Sequence, residues 1–96
     1  MKFIAIEKNI PGIEKEKFTS EWLKEEAKKV WEYYESGIFR EMYFTKEMHK
    51  AVIIMECLTE SDATGYLQEL PLVKYKLIEF ETYSLINYDG FKRLFI

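Results

Sequence analysis

Two glutamates, Glu25 and Glu26, stand side by side in the run Trp22–Trp31, WLKEEAKKVW. At about 100° per residue, a helix can turn only one of them toward its apolar side. On that wheel Phe18, Trp22, Leu23, Ala27, Val30, Trp31, Tyr33 and Tyr34 share one broad arc. Glu21, Lys24, Glu25, Lys28, Glu32 and Glu35 lie opposite and read as a solvated face. Glu26 falls inside the apolar arc, one turn from both Trp22 and Val30, with Lys29 at the edge. A carboxylate among apolar groups has a raised pKa and is a stronger base. Glu26 is therefore the candidate catalytic residue, as a proton carrier. Arg40 supplies a fork that grips a carboxylate bidentately. Tyr43, Tyr75 and Trp22 supply hydroxyl or ring contacts. These four are the candidate substrate-binding residues.

Each choice has a plainer rival. Glu26 can pair with Lys29, and Arg40 can form an ion pair at a subunit seam. Arg40 and Glu41 are strand neighbours, so regular alternation points them to opposite faces. Glu56 is a second candidate for an inward acid. His49 reads as an exposed loop residue, Cys57 as a small core residue, and Trp31, Tyr33 and Tyr34 as core. One histidine and one cysteine cannot build a zinc site, and no glycine-rich phosphate loop follows a strand. Neither a metal nor a cofactor is expected.

The elements that must position these residues follow from patterning. MKFIAIE, residues 1–7, reads as a strand. Pro11-Gly12 breaks the chain, and a helical pattern runs from Glu14 to Ser36, with Gly37 as its C-terminal stop. GIFREMYFT is a second strand, KEMHK a hairpin loop and AVIIMECL a third strand. TESDATGYLQEL reads as a second helix ended or kinked at Leu70-Pro71. KLIEFETYSLI is a fourth strand, and residues 88–96 form an aromatic, turn-like tail. The order is β-α-β-β-α-β, the ferredoxin-like α+β pattern: a four-stranded antiparallel sheet with two helices on one face.

The 96 residues fit a single domain, 1–96. The third strand is apolar on both parities, as in a sheet covered on both sides. A chain this short has no third layer of its own, so a symmetric homodimer, sheet against sheet, is expected, with the tail reaching across. Net charge is −3 and no basic block occurs, which argues against a nucleic-acid partner. No apolar run approaches a membrane span and no signal peptide is read. With a lone cysteine, this fits a cytoplasmic protein.

At GIFREMYF and LQELPLVKYKLIEFE the sequence resembles the muconolactone isomerase-like family of the dimeric α+β barrel superfamily. The marks are Gly37, Phe39 and Arg40 after the long helix, Leu70-Pro71-Leu72 closing the second helix, and Tyr75, Ile78 and Glu79 leading into the last strand. The resemblance covers nearly the whole chain, most firmly from Gly37 to Glu81. It implies a dimeric barrel, with dimers assembling into larger rings in the isomerases. It also implies a cofactor-independent proton shift on an unsaturated lactone, carried by an acid on the first helix. Counted back from Gly37, that acid falls on Glu26. The chain departs from the isomerases in its hairpin TKEMHKA, where they carry a more polar, asparagine-bearing loop, and at Glu41, where they have histidine.

The leading expectation is thus a muconolactone isomerase-like enzyme acting on a small unsaturated lactone or related organic acid. Two others stand beside it: a cofactor-independent monooxygenase of an aromatic substrate, and a non-catalytic module that binds a small ligand.

Overall fold

The computed structural model describes residues 1–96. Four strands, β1 (Lys2–Asn9), β2 (Phe39–Phe44), β3 (Ala51–Glu56) and β4 (Ile78–Leu85), form one sheet in the order β2-β3-β1-β4. Every pairing is antiparallel. The helices are α1 (Ser20–Glu35), α2 (Glu60–Gln68) and α3 (Pro71–Lys74). The ferredoxin-like order expected from the sequence is the observed one.

The long helix starts later than its periodicity suggests. Residues Lys15–Lys17 form a separate 3-10 turn, and α1 begins where Thr19 can cap it, its side chain accepting from the Trp22 N–H at 3.2 Å. Gly37, at φ +84°, ends the segment. The Ile38 N–H donates to the Tyr33 carbonyl and the Gly37 N–H to the Tyr34 carbonyl, a Schellman closure. Thr59 caps α2 in the same way as Thr19 caps α1, accepting from the Asp62 N–H at 3.0 Å. Leu70 is extended, and the chain then restarts as α3 with Pro71 in its first turn rather than simply stopping. Proline suits that position because the N–H it lacks would have no partner in the helix.

One face of the sheet carries the core. Phe3 and Ala5 of β1, Phe39 of β2 and Ile53 and Met55 of β3 are buried there with Tyr33, Ala63, Leu67 and Leu70. A smaller cluster of Leu72, Leu77 and Ile78 sits beside it, flanked by Ile13, Phe18, Trp22, Val73 and Phe80. The other face is bare. Its centre is Ile4 and Ile6 of β1 with Val52 and Ile54 of β3, all half-buried. Tyr43 and Tyr83 stand at its flanks, bonded through their hydroxyls to Glu41 and Glu81.

The apolar arc of α1 divides. Phe18, Trp22, Val30 and Tyr33 pack inward, but Trp31 and Tyr34 are 58% and 48% exposed, which corrects their reading as core. Ile86, Tyr88, Phe91, Leu94, Phe95 and Ile96 are also exposed. The radius of gyration, 15.4 Å, exceeds the roughly 12–13 Å of a compact chain this long. No helix is long and apolar enough to cross a membrane.

Gly37 tests the closure of α1. A Cβ there meets only ordinary contacts, nearest the Arg40 side chain at 3.9 Å, so the penalty of Gly37→Ala comes from the left-handed backbone. Urea unfolding is expected to show a loss of about 1 kcal/mol; an unchanged midpoint would show that this backbone carries no strain for alanine.

Candidate functional site

Glu26 turns inward and Glu25 outward, as the wheel requires. The first turn of any helix has N–H groups without helical partners. In α3, Pro71 has none to offer, and Leu70 before it has no side-chain acceptor. Glu26 reaches across from α1 and its Oε1 accepts from the Leu72 N–H at 2.9 Å. The carboxylate is thereby a tertiary cap for α3. Burial pushes its pKa up, the Leu72 bond opposes that, and the charge of Glu7 raises it again. Lys29 does not pair with it; the Lys29 Nζ lies 3.3 Å from Glu32.

Two of the four sequence-selected binding residues join Glu26. Trp22, one turn earlier on α1, packs on the ring of Tyr75, just beyond α3, with centroids 4.5 Å apart and planes 44° apart. Trp22 also borders the Leu72–Leu77–Ile78 cluster. Trp22 and Glu26 of α1 therefore share one surface with Leu72 and Tyr75.

Arg40 and Tyr43 do not reach this surface. The Arg40 Nε–H donates to the Gly37 carbonyl. Gly37 lies beyond the end of α1, about three turns and roughly 16 Å from Glu26. Phe39 pairs with Met55 but Glu41 pairs with Ile54, so Arg40 is the extra residue of a bulge. The bulge breaks the alternation that would have set Arg40 against Glu41. Tyr43 pairs with Val52 on the bare face, and its hydroxyl donates to Glu41 at 2.6 Å.

Other candidates resolve into structural roles. Glu56 is not an inward acid: it lies 3.0 Å from the N-terminal ammonium, which holds its carboxyl below the usual range. His49 stacks on Phe44 in the hairpin, with centroids 4.0 Å apart. Cys57 is a buried free thiol whose pKa burial pushes up.

The sequence reading missed Glu7. It shares parity with the buried Phe3 and Ala5, so it lies on the helix-covered face of β1, paired with Phe80. Its Oε1 accepts from the Ala51 N–H at 2.9 Å. Ile4 and Ile6 made both parities of that strand apolar, so no alternation pointed to the covered side. Period two from Phe3 and Ala5 was the one available signal. The surface depression lined by Glu21, Trp22, Lys24 and Glu25 takes in Trp22 but not Glu26, and the one beside Val73, Lys76 and Ile78 includes neither.

No family model matches the chain, and no curated protein matches it. Solved structures do. Muconolactone isomerase superposes with a TM-score of 0.76 at 14% identity, over 94% of this chain and 93% of that one. A 5-chloro-2-hydroxyhydroquinone dehydrochlorinase from Burkholderia phenoliruptrix AC1100, in complex with 2,5-dihydroxybenzoquinone, superposes with a TM-score of 0.64 at 17% identity, over 94% and 98%. At such identities the likeness shows the fold, and it is the fold that the marks around Gly37 and Leu70-Pro71-Leu72 suggested.

Glu26 has a pH signature. Its folded-state pKa lies above the unfolded value, so between the two the folded chain retains a proton that the unfolded chain has lost. Its contribution is present below the unfolded pKa and fades as pH rises through the folded one. Glu26→Gln keeps an acceptor for Leu72 but cannot titrate. Urea unfolding from about pH 4 to about pH 8 should show the wild type losing stability relative to this variant as pH rises. Parallel curves would mean that Glu26 titrates as a surface acid.

Proposed function

We propose that the chain is a cofactor-independent enzyme that shifts a proton on a small unsaturated lactone or related organic acid, with Glu26 as the proton carrier. The observation that carries this reading is the inward carboxylate of Glu26, made more basic by burial and set beside Trp22 and Tyr75. The ionised carboxylate takes a proton from the carbon next to the carbonyl, and the electron pair moves onto the carbonyl oxygen. The now neutral acid returns the proton at the far end of the conjugated system, and the double bond moves. Atoms and electrons balance without a second reactant. The Tyr75 hydroxyl and the Trp22 indole N–H are the nearby donors for the enolate oxygen.

The same proposal includes a homodimer. Ile4, Ile6, Val52 and Ile54 form an apolar centre with no cover in one chain, rimmed by polar groups. A second copy laid sheet against sheet would cover it, and the exposed tail gives each copy an arm to lay on the other. A second reading, a non-catalytic small-ligand module, is supported by the Leu72 bond, which gives Glu26 a structural task without any chemistry.

Deuterium exchange decides between them. A panel of butenolides in D2O, followed by NMR, should exchange the proton next to the carbonyl. Glu26→Gln should slow exchange by at least about 100-fold; exchange at the wild-type rate would remove Glu26 as the carrier. Sedimentation should show a dimer, and Ile54→Lys, which buries a charge at the seam, should give a folded monomer. A wild-type monomer at tens of micromolar would end the dimer reading.

A further inference from the structure

Glu7 and Glu26 approach the small cluster beside α3 from two sides. Glu7 is on the covered face of β1, next to Phe80 across the strand pair, and Phe80 packs against that cluster. Glu26 is one turn beyond Trp22, which packs against it too. A backbone N–H holds each carboxylate in place, that of Ala51 for Glu7 and that of Leu72 for Glu26. They are close enough for the charge of Glu7 to act on Glu26.

No salt bridge joins either carboxylate to a cation. On β1, Lys8 has the parity of the bare face and lies 3.2 Å from Glu81. On α1, Lys28 is exposed, Lys24 borders the depression that takes in Trp22 together with Glu21 and Glu25, and Lys29 is held by Glu32. Lys74 of α3 borders the depression that holds Ile10 and Gln68. Of the two arginines, Arg40 is tied to Gly37 at the far end of α1 and Arg93 is exposed in the C-terminal segment. A ligand beside Glu26 therefore meets negative charge from helix and sheet alike. Like charges on a partly desolvated surface repel more strongly than in open water.

We propose that Glu7 is a specificity residue of this site: its charge, added to that of Glu26, makes the surface beside Trp22 and Tyr75 accept an uncharged, enolisable lactone ring and reject the same ring bearing a carboxylate. This rests on the proton-shift reading for its choice of ring, and it narrows that reading from lactones and organic acids to the lactones alone.

Binding is measured apart from turnover. The probes are an unsubstituted butenolide and the same ring carrying a carboxymethyl group, titrated into the protein with the glutamate side-chain carbons labelled for NMR. The wild-type chain should bind the neutral ring at least about tenfold more tightly, and added salt should shrink the ratio. Glu7→Gln keeps an acceptor for Ala51, and should cut the ratio by about tenfold through tighter binding of the carboxylate. Glu7→Asp, which keeps the charge, should retain more of the discrimination than Glu7→Gln. A wild-type preference for the carboxylate, a ratio that Glu7→Gln leaves unchanged, or failure of both rings to bind overturns the proposal. If the discrimination holds but neither ring exchanges deuterium, the specificity stands and only the proton-shift reading falls.

Discussion

The layer of helices is organised around one hydrogen bond, from the Leu72 N–H to the Glu26 carboxylate. A helix as short as α3 has almost no internal bonding to stabilise it, and its first turn begins with a proline. It forms because partners outside it satisfy its ends and bury Leu72. The same bond brings a carboxylate into apolar surroundings and fixes where Tyr75 emerges, against Trp22. A structural need of α3 and the chemical character of Glu26 thus share one cause. A buried acceptor that must bond an N–H is also a carboxylate partly stripped of water.

The second constraint is size. Two helices and a four-residue turn of helix cover one face of a four-stranded sheet, and none of the elements of residues 1–96 covers the other. Half of the α1 arc and nearly all of the tail stay exposed for the same reason. Small domains bury a modest fraction of their surface, and this one has unusually many rings to cover. Trp31, Tyr34, Phe91 and Phe95 are surplus to a single core, which is why a second copy enters the functional proposal.

Charge is sorted by face. On the bare side, Lys8 and Glu81 pair, and Tyr43 and Tyr83 engage Glu41 and Glu81. On the covered side, Glu7 and Glu26 are satisfied by backbone N–H groups instead. Backbone donors stabilise a carboxylate without neutralising it by a full charge.

Local physics alone settled much of this chain. Short runs of strand-forming residues between breakers located the four strands, the 3.6-residue period turned Glu26 inward, and Gly37 marked the end of α1. These are short-range effects, in which neighbours along the chain determine the outcome. Tertiary structure decided the rest. The bulge at Arg40 depends on how β2 meets β3, so strict alternation misjudged that residue and could not show how far it stands from Glu26. Which parity of β1 is covered depends on where the helices lie, so Glu7 could not be singled out between Ile6 and Lys8. The exposure of Trp31 and Tyr34 depends on how much sheet there is for α1 to lie on. A helical wheel measures direction around one axis, whereas burial requires a surface on the other side, and only the assembled layers supply it.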